Sequence, residues 1–171
     1  LLYFHGGGYL LGSLDSHDSL CQSIAQATGY TVLAVDYRLA PEHKFPTAFH
    51  DAEDAYCWLL KHGEAMGIDT SRIAVGGDSV GGTLATALCM SARDNGWHLP
   101  RCQILLYPCT SARQDSESHR RYAQGYLLEA DTLQWMFGHY LNSDEERHDW
   151  RFAPLEAADL KSLPPAFIAL A

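Results

Sequence analysis

The sequence predicts an α/β protein: a three-layer α/β/α sandwich around a mostly parallel sheet, partial, with a helical cap insertion. Three observations predict it. Short apolar runs alternate with longer helical patterns along the 171 residues. The short runs are apolar throughout, as strands buried on both faces must be. One mainly polar stretch interrupts this rhythm late in the chain.

Each element follows from its residues. Residues 1–4 are an apolar run that stops at glycines. Residues 16–27 carry Leu20, Ile24 and Ala27 on one helical stripe, and Gly29 supplies a natural C-terminal stop. The β-rich run YTVLAV, residues 30–35, reads as a strand buried on both faces. Residues 48–66 place Phe49, Ala52, Tyr56, Leu59 and Leu60 on one stripe. A third strand is expected over residues 72–75, then a helix rich in Ala, Leu and Thr over residues 82–93. Residues 104–107 and 166–170 are two more apolar strands. Between them, residues 130–141 form one amphipathic helix with Leu133, Met136, Phe137 and Tyr140 on a face, and the charge cluster 144–149 reads as a solvated turn. We therefore expect one partial domain, residues 1–171, with a cap insertion at approximately 111–150. Core strands at both ends suggest a chain cut from a longer protein, because natural termini usually lie at the surface.

Composition bounds the function. With Lys+Arg 12 against Asp+Glu 21 the net charge is −9, which repels nucleic-acid phosphates and anionic lipid headgroups. Neither nucleic acid nor stable membrane insertion is expected, since no apolar run reaches the length of a membrane span. Five cysteines, at 21, 57, 89, 102 and 109, form no C-x-x-C and are odd in number. They read as small buried hydrophobes in a reducing compartment, hence a cytoplasmic expectation. The nine histidines show no metal-ligand spacing, so no metal is expected.

The chemistry is concentrated in two motifs. Gly77-Asp78-Ser79-Val80-Gly81-Gly82 follows a strand and opens a helix, the context of a G-x-S-x-G nucleophile elbow. Gly77 and Gly81 leave room for a tight turn that lifts the Ser79 hydroxyl toward a helix N-terminus. By chance such a pattern arises in about one chain of this length in 20, so alone it is only suggestive. A phosphate-binding loop fits poorly, because Thr83 stands where a Walker lysine must be. The second motif, His5-Gly6-Gly7-Gly8, follows the first strand and can aim backbone N–H groups at one point, as an oxyanion requires. Its chance frequency is on the order of one chain in a thousand. His5 reads as a hydrogen-bonder that shapes this loop rather than as a catalytic group.

With YFHGGGYLLGSLDSHDSLC, VDYRLAPEHKFPTAFHDAEDAYCWL, IAVGGDSVGGTLA, LLYPCTS and DLKSLPPAFIALA in hand, the chain resembles the hormone-sensitive lipase family of α/β-hydrolases across essentially its whole length. That group includes bacterial family IV esterases, arylacetamide deacetylase and plant carboxylesterases. The resemblance implies a carboxylic ester hydrolase acting on short to medium acyl esters through a serine acyl-enzyme, without a cofactor. It implies Ser79 as nucleophile and the N–H groups of Gly7, Gly8 and Val80 as oxyanion hole. His5, Gly6, Gly77 and Gly81 would shape the two loops, and Asp36-Tyr37-Arg38-Leu39-Ala40-Pro41-Glu42 would brace the region beneath them. Val80 departs from the alanine usual there, and its β-branch is expected to narrow the site. The family's triad Asp and His would follow the last strand, beyond Ala171, which would leave these 171 residues inactive by themselves. The aspartates at 94, 115, 131, 144, 149 and 159 and the histidines at 98, 119, 139 and 148 all precede that strand and read as surface or cap. Leu133, Met136, Phe137 and Tyr126-Leu127-Leu128 are either acyl-pocket wall or the cap's own core. A homodimer of the full-length parent is a further expectation. The alternative function is a non-catalytic ligand-binding protein, because the plant gibberellin receptor resembles the same family; an amidase or peptidase ranks third.

Overall fold

The computed structural model describes residues 1–170. Its centre is a five-stranded sheet in the order β2-β1-β3-β4-β5, parallel at every pairing. The strands are β1 (Leu2–Phe4), β2 (Leu33–Val35), β3 (Val75–Asp78), β4 (Gln103–Leu106) and β5 (Ala166–Ala169). The main helices are α1 (Leu14–Thr28), α2 (Thr47–His62) and α3 (Val80–Asp94). A short α4 (Glu117–Arg121) and α5 (Ala130–Tyr140) occupy the long β4–β5 connection. No helix among the described residues is long and apolar enough to cross a membrane.

Local chemistry sets these boundaries. The α1 helix starts two residues earlier than the apolar stripe indicates, because Ser13 and Ser16 form a reciprocal capping box. It ends at Gly29, whose left-handed backbone (φ 71°) lets its N–H reach the Ala25 carbonyl. The α2 stripe expected to run to residue 66 stops at His62 and tightens into a 3₁₀ turn, Gly63–Met66.

Three strand expectations are corrected. The second strand covers only Leu33–Val35 and is half-buried, since among the described residues it pairs with β1 alone. The third lies three residues later than expected: Asp69 caps a 3₁₀ turn over Thr70–Arg72, and the ladder takes Val75–Asp78 instead. Its two glycines have poor strand propensity, yet both pair with neighbours on either side. The last strand is an exposed edge, with Phe167 64% and Ile168 54% exposed.

The core lies on one face of the sheet. Helix α3 is buried from Val80 to Ala92 because it lies between β1, β3 and β4 on one side and α2 on the other. Its Gly, Ala and Thr residues permit that close approach. An aromatic cluster extends this core outward: Tyr9 stacks on Tyr140 with ring centroids 3.8 Å apart, and Phe137 meets Phe152 edge-on at 4.9 Å. Helix α5 thus contributes Phe137 and Tyr140 to the common core. On the opposite face α1 leaves a groove of 780 Å³, lined by Leu20, Ile24, Ile104, Leu106 and Phe167 among others. Among the cysteines only Cys89 is buried, and the other four are half-buried.

Candidate active site

Topology brings the two glycine-rich segments together. Strand β1 feeds α1 and then β2 on one side, whereas β3 feeds α3 and then β4 on the other. The direction in which strands are added to the sheet therefore reverses between β1 and β3, and a crevice forms outside their C-terminal ends. Tyr3 pairs with Gly76 and Phe4 with Gly77, so the residues that follow, from His5 and from Asp78, emerge side by side.

Ser79 occupies the one-residue turn between β3 and α3, with φ 53° and ψ −121°. A non-glycine residue in such a region costs on the order of 1–3 kcal/mol and persists only where its surroundings over-determine it. The surroundings here are strong. Ser79 donates its N–H to the Leu106 carbonyl at 2.8 Å, and its own carbonyl accepts from Gly82, Thr83 and Cys109 at 3.0, 3.3 and 3.2 Å. Gly77 and Gly81 make the turn sterically feasible, because a Cβ on either would collide with the Phe4 carbonyl. The Ser79 side chain is half-buried. Val80 begins α3, so its N–H has no intrahelical acceptor. Its side chain is 1% exposed and packs in the core, so the β-branch fills the interior rather than narrowing an open site.

The His5–Gly8 loop is held from several directions. The Tyr37 hydroxyl donates to the His5 carbonyl at 2.7 Å and its ring stacks on the imidazole, centroids 4.3 Å apart. Ala40 donates its N–H to the Tyr9 carbonyl, and Arg38 forms an ion pair with Asp51. The 36–42 segment thus grips the loop, as expected of it. His5 Nδ1 lies 2.7 Å from the Gly6 carbonyl, so Nδ1 carries the proton. Burial keeps the imidazole pKa below the ordinary value, and Nε2 is buried with no hydrogen-bond partner among the described residues, both consistent with a neutral ring. Because a peptide unit is planar and trans, holding the Gly6 carbonyl also fixes the direction of the Gly7 N–H. Gly8 turns at φ 63° directly against Met136 of α5. Among the described residues neither Gly7 nor Gly8 donates its N–H to a protein acceptor.

The structure thus brings together Ser79, Val80, Gly77 and Gly81 from the turn and His5, Gly6, Gly7 and Gly8 from the loop. It leaves the other candidates outside. Asp94, Asp144 and Asp149 pair with Arg93, Arg147 and Arg151 at distances of 2.7–3.0 Å. His148 lies 3.6 Å from Glu156. Of the proposed acyl-wall residues, Phe137 belongs to the core, Tyr126, Leu127 and Leu128 are exposed, and Met136 faces the loop at Gly8. Sequence reasoning missed Asp78, Tyr3 and His17, which form one polar cluster beneath the loop. The only sequence signal was an acidic residue in a segment that must be buried. Among the described residues no three His, Cys, Asp or Glu side chains are grouped to hold a metal. A 440 Å³ groove lies at the other end of the strands, around Leu1, Tyr30, Leu59 and Arg72, so cavity size does not mark the chemistry.

Comparison with known proteins agrees with this fold. A family model described as the alpha/beta hydrolase fold matches residues 1–171. An ethyl acetate hydrolase of Pseudomonas putida is 50% identical over 172 aligned positions, covering 100% of this chain and 54% of that protein. A carboxylic ester hydrolase of Mycobacterium tuberculosis is 42% identical, covering 100% of this chain and 47% of that one. The crystal structure of a thermostable esterase from Pseudomonas putida superposes with a TM-score of 0.95 at 35% identity, over 98% of this chain and 53% of that chain. The chain spans about half the length of the curated relatives it matches.

Proposed function

Because the chain belongs to the α/β hydrolase fold family, we propose that the protein hydrolyses carboxylic esters through an acyl-enzyme on Ser79. One observation carries this reading: a strained serine turn lies beside a loop whose Gly7 and Gly8 N–H groups have no acceptor among the described residues. Ser79 Oγ attacks the ester carbonyl carbon while a base removes its proton, since a serine hydroxyl is a weak nucleophile near neutrality. The carbonyl oxygen becomes an anion that accepts from the N–H groups of Gly7, Gly8 and Val80. Losing one such donor costs about 3–4 kcal/mol of barrier. The tetrahedral intermediate expels the alcohol, and water then attacks the acyl-enzyme to release the acid. The base is the histidine that the family resemblance expects after β5, oriented by an aspartate.

Esters of short to medium acyl chains are the substrates of this reading, and the name of one relative, an ethyl acetate hydrolase, supports the short end of that range. Residues 111–150 act as the cap, with Met136 against Gly8 bordering the acyl group. The five unpaired cysteines favour a reducing compartment such as the cytoplasm. A homodimer of the full-length protein completes the proposal.

The test is turnover of p-nitrophenyl acetate and butyrate by the full-length protein and its Ser79→Ala variant. The variant is expected to lose at least about 10⁴-fold in kcat. A wild-type protein that binds esters and never turns them over would move the reading to a binding protein.

A further inference from the structure

We propose that Asp78 is a positioning residue whose carboxylate fixes the oxyanion loop to the nucleophile turn. The proposal rests on the ester-hydrolase reading above. Three backbone N–H groups can stabilise one oxyanion only if they converge on a single point. Two of them, from Gly7 and Gly8, belong to the loop after β1, and the third, from Val80, belongs to the turn after β3. The two segments are separate in sequence, so something must set their spacing.

Asp78 bridges that gap directly. It immediately precedes Ser79 and is 7% exposed. Its Oδ1 accepts from the Gly6 N–H at 3.0 Å, one residue before Gly7, and from the Tyr3 hydroxyl at 2.8 Å. His17 Nε2, from the first turn of α1, lies 3.4 Å from both carboxylate oxygens. Bonds to an ionised acceptor are shorter and stronger than neutral ones, so a carboxylate is well suited to clamping a backbone amide. The Tyr3 hydroxyl is pushed far above its ordinary pKa, first by burial and then by the Asp78 charge, so it stays a donor. The loop's other anchors, Tyr37 on the His5 carbonyl and Ala40 on the Tyr9 carbonyl, come from the β2 side. Asp78 anchors the same loop on the nucleophile side.

Without that bond the loop can drift relative to Ser79, and a displacement of about 1 Å costs on the order of 10²-fold in rate. The loss should fall on kcat, because the loop acts on the transition state more than on bound ester. The experiment compares Asp78→Ala and Asp78→Asn in the full-length protein with p-nitrophenyl acetate, at rates normalised to sites titrated with a fluorophosphonate. Asp78→Ala is expected to lower kcat about 100-fold with KM within about 3-fold. Asp78→Asn keeps an acceptor oxygen for Gly6 and Tyr3 and should stay within about 10-fold of wild type. Inhibition by a trifluoromethyl ketone, which forms a hemiketal oxyanion, should weaken in step with kcat. If Asp78→Ala does not fold, Tyr3→Phe removes one support of the carboxylate and should lower kcat by about 3–10-fold. Full kcat per titrated site in Asp78→Ala, or in Tyr3→Phe where that variant stands in for it, overturns the proposal. An Asp78→Asn variant as slow as Asp78→Ala overturns it too. An inactive wild type overturns the functional reading with it, whereas an active wild type beside an unaffected variant overturns this proposal alone.

Discussion

Replacing Gly8 by alanine tests whether the loop geometry is as exacting as the structure implies. Gly8 has φ 63°, where an L-residue pays about 1–2 kcal/mol for its Cβ. The new methyl would also meet the Met136 sulfur inside van der Waals contact, with the Met136 side chain only 8% exposed. Such overpacking typically costs about 1–3 kcal/mol. Alanine restricts the unfolded chain and returns roughly 0.4–1 kcal/mol. The net destabilisation is therefore about 1–5 kcal/mol, to be read from urea unfolding of the full-length protein. If the Gly8 N–H turns away from the oxyanion, kcat should fall by about 10²–10³-fold. The companion variant Met136→Ala separates the two causes. In Gly8→Ala/Met136→Ala the steric part should be relieved by about 1–3 kcal/mol relative to additivity, while the backbone strain and the loss of kcat remain. A Gly8→Ala protein with native stability and native kcat per titrated site would refute the reasoning at its root. A double variant with no coupling would refute the Met136 contact alone.

Two further outcomes are expected. Phe137→Ala should destabilise the whole cooperative unfolding transition by about 3–5 kcal/mol, because the ring is fully buried against Phe152 in the common core; a small separate transition in calorimetry would show instead that α5 unfolds by itself. Burial lowers the folded-state pKa of His5, so the unfolded chain takes up the proton first. Stability should then be intact above the ordinary histidine value near 6.5 and decline as pH falls from there through the lowered folded value. His5→Asn should flatten that slope in urea unfolding series from pH 8 to 5, and an unchanged slope would remove His5 as its source.

Much of the site was legible in the sequence because its two motifs are local. A serine between glycines after an apolar run, and three consecutive glycines after another, each describe a turn that few other residues permit. The Gly29 stop and the α5 helix were legible for the same reason: each depends on a few adjacent side chains. The bracing role of residues 36–42 came only from the family resemblance and acts through Tyr37 on His5, 32 residues away. The position of β3 was not, because a strand containing Gly76 and Gly77 exists only through its pairing with β1 and β4. Nor was the fate of Phe137, since periodicity reveals an apolar face but not what that face meets.

By itself, then, the sequence determined the class of fold, the serine turn and the glycine loop, all consequences of backbone sterics over a few residues. Only the tertiary structure decided that the turn and the loop share one crevice, that α5 joins the common core, and that Asp78, Tyr3 and His17 meet beneath Gly6. The physical reason is the same in each case. A hydrogen bond spanning 72 residues of chain, such as that from Gly6 to Asp78, leaves no local signature and forms only once β1 and β3 are paired.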